Sequence, residues 1–210
     1  MVPGLGRLVL ASGNFGKLRE FRQLCEPLGL TIVAQSELGI SEVEEPHCTF
    51  VENALVKARH ASRASGLPAF ADDSGLCVAA LGGAPGVHSA RFADLTDERE
   101  TQDARNNAKL IGMLADKADR RAHYTCVIVL VRRAEDPEPL IAEGHWQGEI
   151  IATPRGDGGF GYDPYFYLPA LGKTAAELPA HEKNKISHRG KALAALALKL
   201  GLLNCAPAFT

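Results

Sequence analysis

No stretch of this sequence approaches the roughly eighteen apolar residues of a membrane span, and the opening MVPGLGRLVLASG has no long apolar region behind a basic start. A soluble, unexported protein is expected. Neither sign of charge dominates: 23 Lys and Arg against 25 Asp and Glu leave a formal net charge of -2, which excludes a globally basic nucleic-acid binder. Any anionic ligand must therefore meet positive charge that is arranged locally. The five cysteines are odd in number and include no C-x-x-C, and the closest two, Cys25 and Cys48, lie far apart, so neither a thiolate metal pair nor a disulfide framework is visible. A reducing cytoplasm is the expected setting. Two familiar phosphate motifs are also missing: Leu18 follows Lys17 where G-x-x-x-x-G-K-[ST] would need Ser or Thr, and there is no G-x-G-x-x-G. Repeats and low-complexity linkers are absent too, while 46% hydrophobic residues argue against disorder. A single domain spanning 1–210, with room for two lobes, is the expected organisation, long enough to bury about 70% of its unfolded surface.

Strand-like and helix-like segments alternate along the chain. Leu8 to Ala11 is a short continuous apolar run, as expected of a strand covered on both faces. A helix should follow, with Phe15, Leu18, Phe21, Leu24, Cys25 and Leu28 at helical spacing and Gly29 as the stop. Leu30 to Ala34 reads as a second strand. Thr49 and Glu52 form a T-x-x-E capping box that opens another helix, ended by Gly66-Leu67-Pro68. Ala69 to Ala71 predicts a strand before two adjacent carboxylates, Asp72 and Asp73. Thr96 to Ala115 reads as helix, Tyr124 to Val131, rich in β-branched residues, as a long strand, and Leu140 to Ala152 as its return after an Asp136-Pro137 turn. A last helix is predicted from about Ser187 to Leu200, with Gly201 as its cap. The pattern is that of an α/β fold with a mixed, twisted central sheet and flanking helices.

Four segments carry chemical content. SGNFGK, residues 12–17, is a turn from strand to helix whose backbone N–H groups and Lys17 suit an anion, and it reads equally well as an Asn-capped helix start. Asp72 and Asp73 alternate direction at a strand end, where carboxylates can hold Mg²⁺ or simply close a turn. Glu42, Glu44 and Glu45, taken alone, read as a solvated loop. In GDGGFGYDPYF, residues 156–166, four glycines surround Phe160 and Tyr162; an aromatic ring bedded in glycine can stack on a nucleobase or anchor a tight hairpin. In HEKNKISHRG, residues 181–190, His188 and Arg189 sit in the first turn of a helix, where cations oppose the helix dipole, a departure that points to a ligand.

Taken in order, LVLASGNFGKLREF, EEPHCTFVENALVKARHAS, FADDSGLCVAALGGAPGVHSARF, GGFGYDPYF and KTAAELPAHEKNKISHRGKAL closely resemble the inosine triphosphate pyrophosphatase family, over nearly the whole chain. The resemblance implies two lobes around a nucleotide cleft. It also implies hydrolysis of nonstandard purine nucleoside triphosphates (ITP, dITP, XTP) to the monophosphate and pyrophosphate, which keeps them out of DNA and RNA. Its S-x-N-x-x-K signature falls on Ser12, Asn14 and Lys17, so that turn, with Gly13, Phe15 and Gly16, is expected to grip the phosphates, and Lys57 to reach the same region. Its metal carboxylates match Glu45 and Asp73, with Mg²⁺ as cofactor and Asp73 as proton acceptor for the attacking water; Asp72 is expected to support the turn or the metal's surroundings. Ser74 matches a substrate contact. Phe160, Gly161, Tyr162 and Asp163 match the F-G-Y-D element, with Phe160 stacking on the base. Lys183, His188 and Arg189 match the base-recognition end, where donors suit the O6 and N7 acceptors of a 6-oxo purine. The family's usual homodimer is expected, with no nucleic-acid or membrane partner. Two other readings remain: a Maf-type pyrophosphatase for pyrimidine triphosphates, against which HEKNKISHRG argues, and a non-catalytic nucleotide sensor.

Overall fold

The computed structural model of the chain describes residues 6–93 and 99–202. The elements follow the order β1 (Arg7–Leu10), α1 (Phe15–Cys25), β2 (Thr31–Ala34), α2 (Phe50–Ser65), β3 (Ala69–Val78), α3 (Arg99–Met113), β4 (Arg121–Val131), β5 (Leu140–Ile150), β6 (Phe166–Leu168), β7 (Lys173–Thr174), α4 (Ala180–Ile186) and α5 (His188–Lys199). The seven strands form one sheet in the order β2-β1-β3-β4-β5-β6-β7. β1 pairs in parallel with β2 and β3, while β6 is antiparallel to β5 and β7, so the sheet is mixed, as the alternating pattern predicts. Thr96 to Glu98, expected at the start of α3, lie outside the described residues.

The chain divides into two compact units. The first takes the residues up to Asp73, Cys126–Gly144 and the chain from Arg189 on. Its strands are covered on both faces, which is why they read as continuous apolar runs. Leu8, Leu10, Phe70 and Ile128 pack with Phe21 of α1 and Leu193 and Leu196 of α5. Val9, Ala69, Ala71 and Val129 pack on the opposite side with Ala54, Ala58 and Ala61 of α2, whose small side chains let that helix approach closely. The second unit comprises Ser74–Thr125 and His145–His188. There Leu76, Val78, Tyr124, Trp146 and Phe166 pack with Leu110 of α3 and Leu114 just beyond its end.

The carboxylate pair departs from expectation. β3 does not stop at Ala71 but runs on to Val78, so Asp72 and Asp73 sit inside a buried strand. Such a strand can carry two acids because each finds cations on its own side of the pleat. The extension also depends on Gly75, where a Cβ would collide with the Gly86 carbonyl and the Ser89 hydroxyl. Helix α1 likewise ends sooner than predicted, passing at Cys25 into a 3₁₀ turn over Glu26–Leu28 before Gly29, at φ 69°, caps it.

Candidate active site

In the first unit the site grows from the alternation of β3. Asp72, on the side of Phe70, faces α1 and α5: Lys17 Nζ lies 2.8 Å from its Oδ2, and Arg189 Nε lies 3.7 Å from the same oxygen. Burial alone would raise the Asp72 carboxyl, yet Lys17 first, then Arg189 and Lys57, outweigh it and hold the group at about 2. Asp73 points the other way, toward α2. It accepts a hydrogen bond from Asn53 Nδ2 at 3.2 Å and lies 3.5 Å from Lys57 Nζ, which also pairs with Glu45 at 2.7 Å. Burial pushes the Asp73 carboxyl up, against Lys57 and Lys17, while Glu45 and Asp72 add to the rise. Asn53 further holds the acidic approach to the helix in place, donating to the His47 carbonyl and accepting from the His47 N–H.

The 12–17 turn is a capped helix start. Asn14 Oδ1 accepts from Gly16 N and Lys17 N at 2.9 and 3.2 Å, and Ser12 Oγ accepts from Asn14 N at 3.2 Å. Two N–H groups of the turn are thus satisfied by Asn14 itself, as an N-cap side chain does for the first turn of its helix. Phe15 is 81% exposed, and the Glu42 carboxylate lies where a Cβ on Gly13 would stand. Arg189 is buried, with its Nη1 donating to Glu20 Oε2 at 2.8 Å. Its unfavourable place at a helix start is therefore offset by Glu20 and Asp72, so the broken local rule does not by itself mark a ligand. Glu20, one turn past Lys17 on α1, gave no signal in the sequence beyond an ordinary polar position.

In the second unit, Asp163 is the hub of the 160–163 segment. Its Oδ2 accepts from Phe160 N at 2.9 Å and from Lys183 Nζ at 2.6 Å, and Lys183 Nζ stands 5.1 Å from the centre of the Phe160 ring. Gly161 has φ 65°, which lets the chain turn between the two aromatics. The Tyr162 hydroxyl donates to the Ser89 carbonyl at 2.8 Å; burial first, then Asp103, pushes its pKa up and keeps it a donor. His188 is buried and stacks on Tyr124, with ring centres 4.6 Å apart and planes 10° from parallel. Ser74 follows Asp73 within β3.

The structure thus gathers Lys17, Glu45, Lys57, Asp73 and Arg189 with Asn14 in one unit, and Phe160 to Asp163, Lys183 and His188 in the other. Among the described residues, no group of three or more His, Cys, Asp or Glu is arranged to hold a metal ion.

The sequence pattern of the Ham1 family matches residues 8–199, which include every one of these positions. The chain belongs to the Ham1 family. It is 66% identical over 196 residues to a dITP/XTP pyrophosphatase of Ralstonia nicotianae, covering 93% of this chain and 97% of that one. A dITP/XTP pyrophosphatase of Nitrosomonas europaea is 61% identical over 93% of this chain and 95% of its own. Among solved structures, a HAM1 protein from Coxiella burnetii superimposes with a TM-score of 0.84 at 49% identity, covering 94% of this chain and 99% of that one. The Ham1 protein of Staphylococcus aureus gives 0.81 at 39% identity, with 93% and 98% covered. The resemblance seen in the sequence motifs is therefore borne out at the level of the family and of its mixed α/β fold.

Proposed function

We propose that this protein hydrolyses nonstandard purine nucleoside triphosphates, dITP, XTP and ITP, to the monophosphate and pyrophosphate. The observation that carries the reading is the Asp73–Lys57–Glu45 cluster, held by Asn53 in a chain 66% identical to a dITP/XTP pyrophosphatase. In this reading a water attacks the α-phosphorus and its proton goes to Asp73. The bond from that phosphorus to the bridging oxygen breaks, and pyrophosphate leaves with the electron pair. Burial makes Asp73 a stronger base than an ordinary carboxylate, the direction general-base work needs. Lys17 and Lys57 bind phosphate oxygens, and the Ser12–Lys17 turn and Ser74 support them. Phe160, set between Gly159 and Gly161 and tied through its N–H to Asp163, stacks on the base, and Lys183 and His188 read the 6-oxo edge. The resemblance puts Arg189 with them; its pairing with Glu20 and Asp72 gives it the further task of keeping Asp72 ionised.

The residues fit a divalent cation. Glu20, Glu45, Asp72 and Asp73 set four carboxylates against the three cations Lys17, Lys57 and Arg189, so a triphosphate meets an excess of negative charge unless a cation comes with it. Glu45 and Asp73 both approach the Lys57 ammonium, and Mg²⁺ binds through one or two carboxylates while keeping its own waters. When bound there, Mg²⁺ would neutralise charge between phosphate oxygens and acidify a water. A homodimer follows from the family resemblance, and a cytoplasmic setting from Cys25, Cys48, Cys77 and Cys126, all free thiols. Among the described residues no helix is long and apolar enough to cross a membrane.

The test is a panel of ITP, dITP, XTP, GTP, ATP, CTP and UTP, with pyrophosphate and orthophosphate measured separately, with Mg²⁺ and after chelation. Pyrophosphate from ITP, dITP and XTP in preference to GTP and ATP, abolished by chelation and restored by Mg²⁺, is the expected result. Orthophosphate release, or a preference for pyrimidines, would overturn it.

A further inference from the structure

Helix α3 carries Gln102, Asp103, Asn106 and Asn107 at i, i+1, i+4 and i+5, which places four polar side chains on one face. Gln102, Asn106 and Asn107 are buried, and buried polar groups require partners. Asn106 serves the chain before the helix. Its Nδ2 donates to the Ser89 and Ala90 carbonyls at 3.3 and 3.2 Å, and its Oδ1 accepts from Ala93 N at 2.7 Å and Gln102 Nε2 at 3.0 Å.

Asp103 and Asn107 converge instead on a single residue of the 156–166 segment. Asp103 Oδ2 accepts from Gly161 N at 2.8 Å, and Asn107 Nδ2 donates to the Gly161 carbonyl at 2.9 Å. Asn107 Nδ2 also donates to the Asp103 carbonyl at 2.9 Å. With two carbonyls facing that atom, a flipped amide would set oxygen against oxygen, so the orientation is determined. Both peptide groups of Gly161 are thereby held from α3: its N–H belongs to the peptide that follows Phe160, and its carbonyl to the one that precedes Tyr162. On either side, Phe160 N is tied to Asp163 and the Tyr162 hydroxyl to Ser89.

We infer that Asp103 and Asn107 are positioning residues for the base end of the site, acting through the Gly161 backbone to hold Phe160 and Asp163. The inference rests on the reading that Phe160 stacks on the purine. Freeing the Gly161 peptides lets the ring sample other orientations, so binding the base must then order the segment. The proposed phosphate contacts Lys17 and Lys57 are themselves held by Asp72, Asp73 and Glu45, within the first unit. Losing either bond should therefore weaken base binding while the chemical step at saturation is kept.

The experiment compares Asp103→Ala, Asp103→Asn, Asn107→Ala and Phe160→Ala with wild type in KM and kcat for ITP, in Ki for inorganic tripolyphosphate, and in Tm. Asp103→Ala and Asn107→Ala should each raise KM about tenfold, the size of one net hydrogen bond, with kcat and the tripolyphosphate Ki within about twofold of wild type. Asp103→Asn keeps an oxygen to accept from Gly161 N–H and should restore most of the loss. An equal rise in KM and in the tripolyphosphate Ki, or an unchanged KM in either alanine variant with a native melt, would overturn the inference. Should Asp103→Ala not fold, Asn107→Ala decides by the same comparison. A raised KM in Phe160→Ala beside unchanged alanine variants at 103 and 107 sinks the inference and spares the stacking; an unchanged KM in Phe160→Ala sinks the stacking itself.

Discussion

Asp72 and Asp73 are adjacent, chemically identical and set apart only by the direction of their side chains. Asp73 faces α2, where burial raises its pKa and Lys57 and Asn53 aim it. Asp73→Asn keeps the shape and the Asn53 neighbour but removes the base. Its kcat should fall at least about 10²-fold, the lower range for one general base. Near-native turnover at saturating Mg²⁺ would remove Asp73 from the mechanism. Asp72 works in the opposite sense. Lys17 and Arg189 hold it at about 2 against an ordinary 3.8, so its stabilisation is complete above 3.8 and is lost as pH falls through about 2. Asp72→Asn takes from Lys17 its 2.8 Å partner and leaves the buried Arg189 to Glu20, and should cost about 3 kcal/mol at neutral pH while flattening the stability profile between pH 4 and 2. Urea titrations across that window read both effects. Arg189→Ala should destabilise likewise, by removing the 2.8 Å partner of Glu20 and leaving Asp72 with Lys17 as its nearest cation. A native melt together with a narrowed ITP to ATP ratio would instead place Arg189 on the base, as the family motif has it.

Elements, rather than single residues, decide how these groups are aimed. Helix α2 carries both Asn53 and Lys57, four residues apart and so on one face, and its first turn is closed by Thr49, whose Oγ1 accepts from Glu52 N at 3.4 Å and donates to the Glu52 carboxylate. Thr49→Ala should lower stability by about 1 kcal/mol, a Tm drop of about 2–4 °C, with KM and kcat little changed because the helix remains packed through Ala54, Ala58 and Ala61. A large fall in kcat would mean that the cap itself registers Lys57. The cap, the glycine stops at Gly29 and Gly66 and the apolar strands were all legible in the sequence, because they are local rules of spacing and backbone conformation. The continuation of β3 through two aspartates was not. A pair of acids beside Ser and Gly looks like a turn until the cations that neutralise them, Lys17 from α1, Lys57 from α2 and Arg189 from α5, are seen to come from distant parts of the chain. The polar face of α3 was missed for a similar reason: QDARNN has the composition of a solvated helix, and only the backbone that it meets makes it buried.

Across the whole molecule, β3, β4 and β5 each contribute residues to both compact units, which leaves no linker at which the chain could be cut into two independent folds. We propose that residues 1–210 form one domain. Thermal unfolding followed by far-UV circular dichroism, which sees both units, and by the fluorescence of Trp146, the one tryptophan and a core residue of the second unit, should then give one shared midpoint; separate midpoints would divide the domain. The sequence by itself determined the element types, the mixed α/β class, the motif segments and the family, since each depends on periodicity, caps or residues read in order along the chain. The tertiary structure alone decided the division of labour between Asp72 and Asp73, the pairing of Arg189 with Glu20, and the hold of Asp103 and Asn107 on Gly161. Those depend on which charges and backbone groups meet after folding, across separations of 169 residues for Arg189 and Glu20 and 58 for Asp103 and Gly161, and no local pattern encodes a partner that far away.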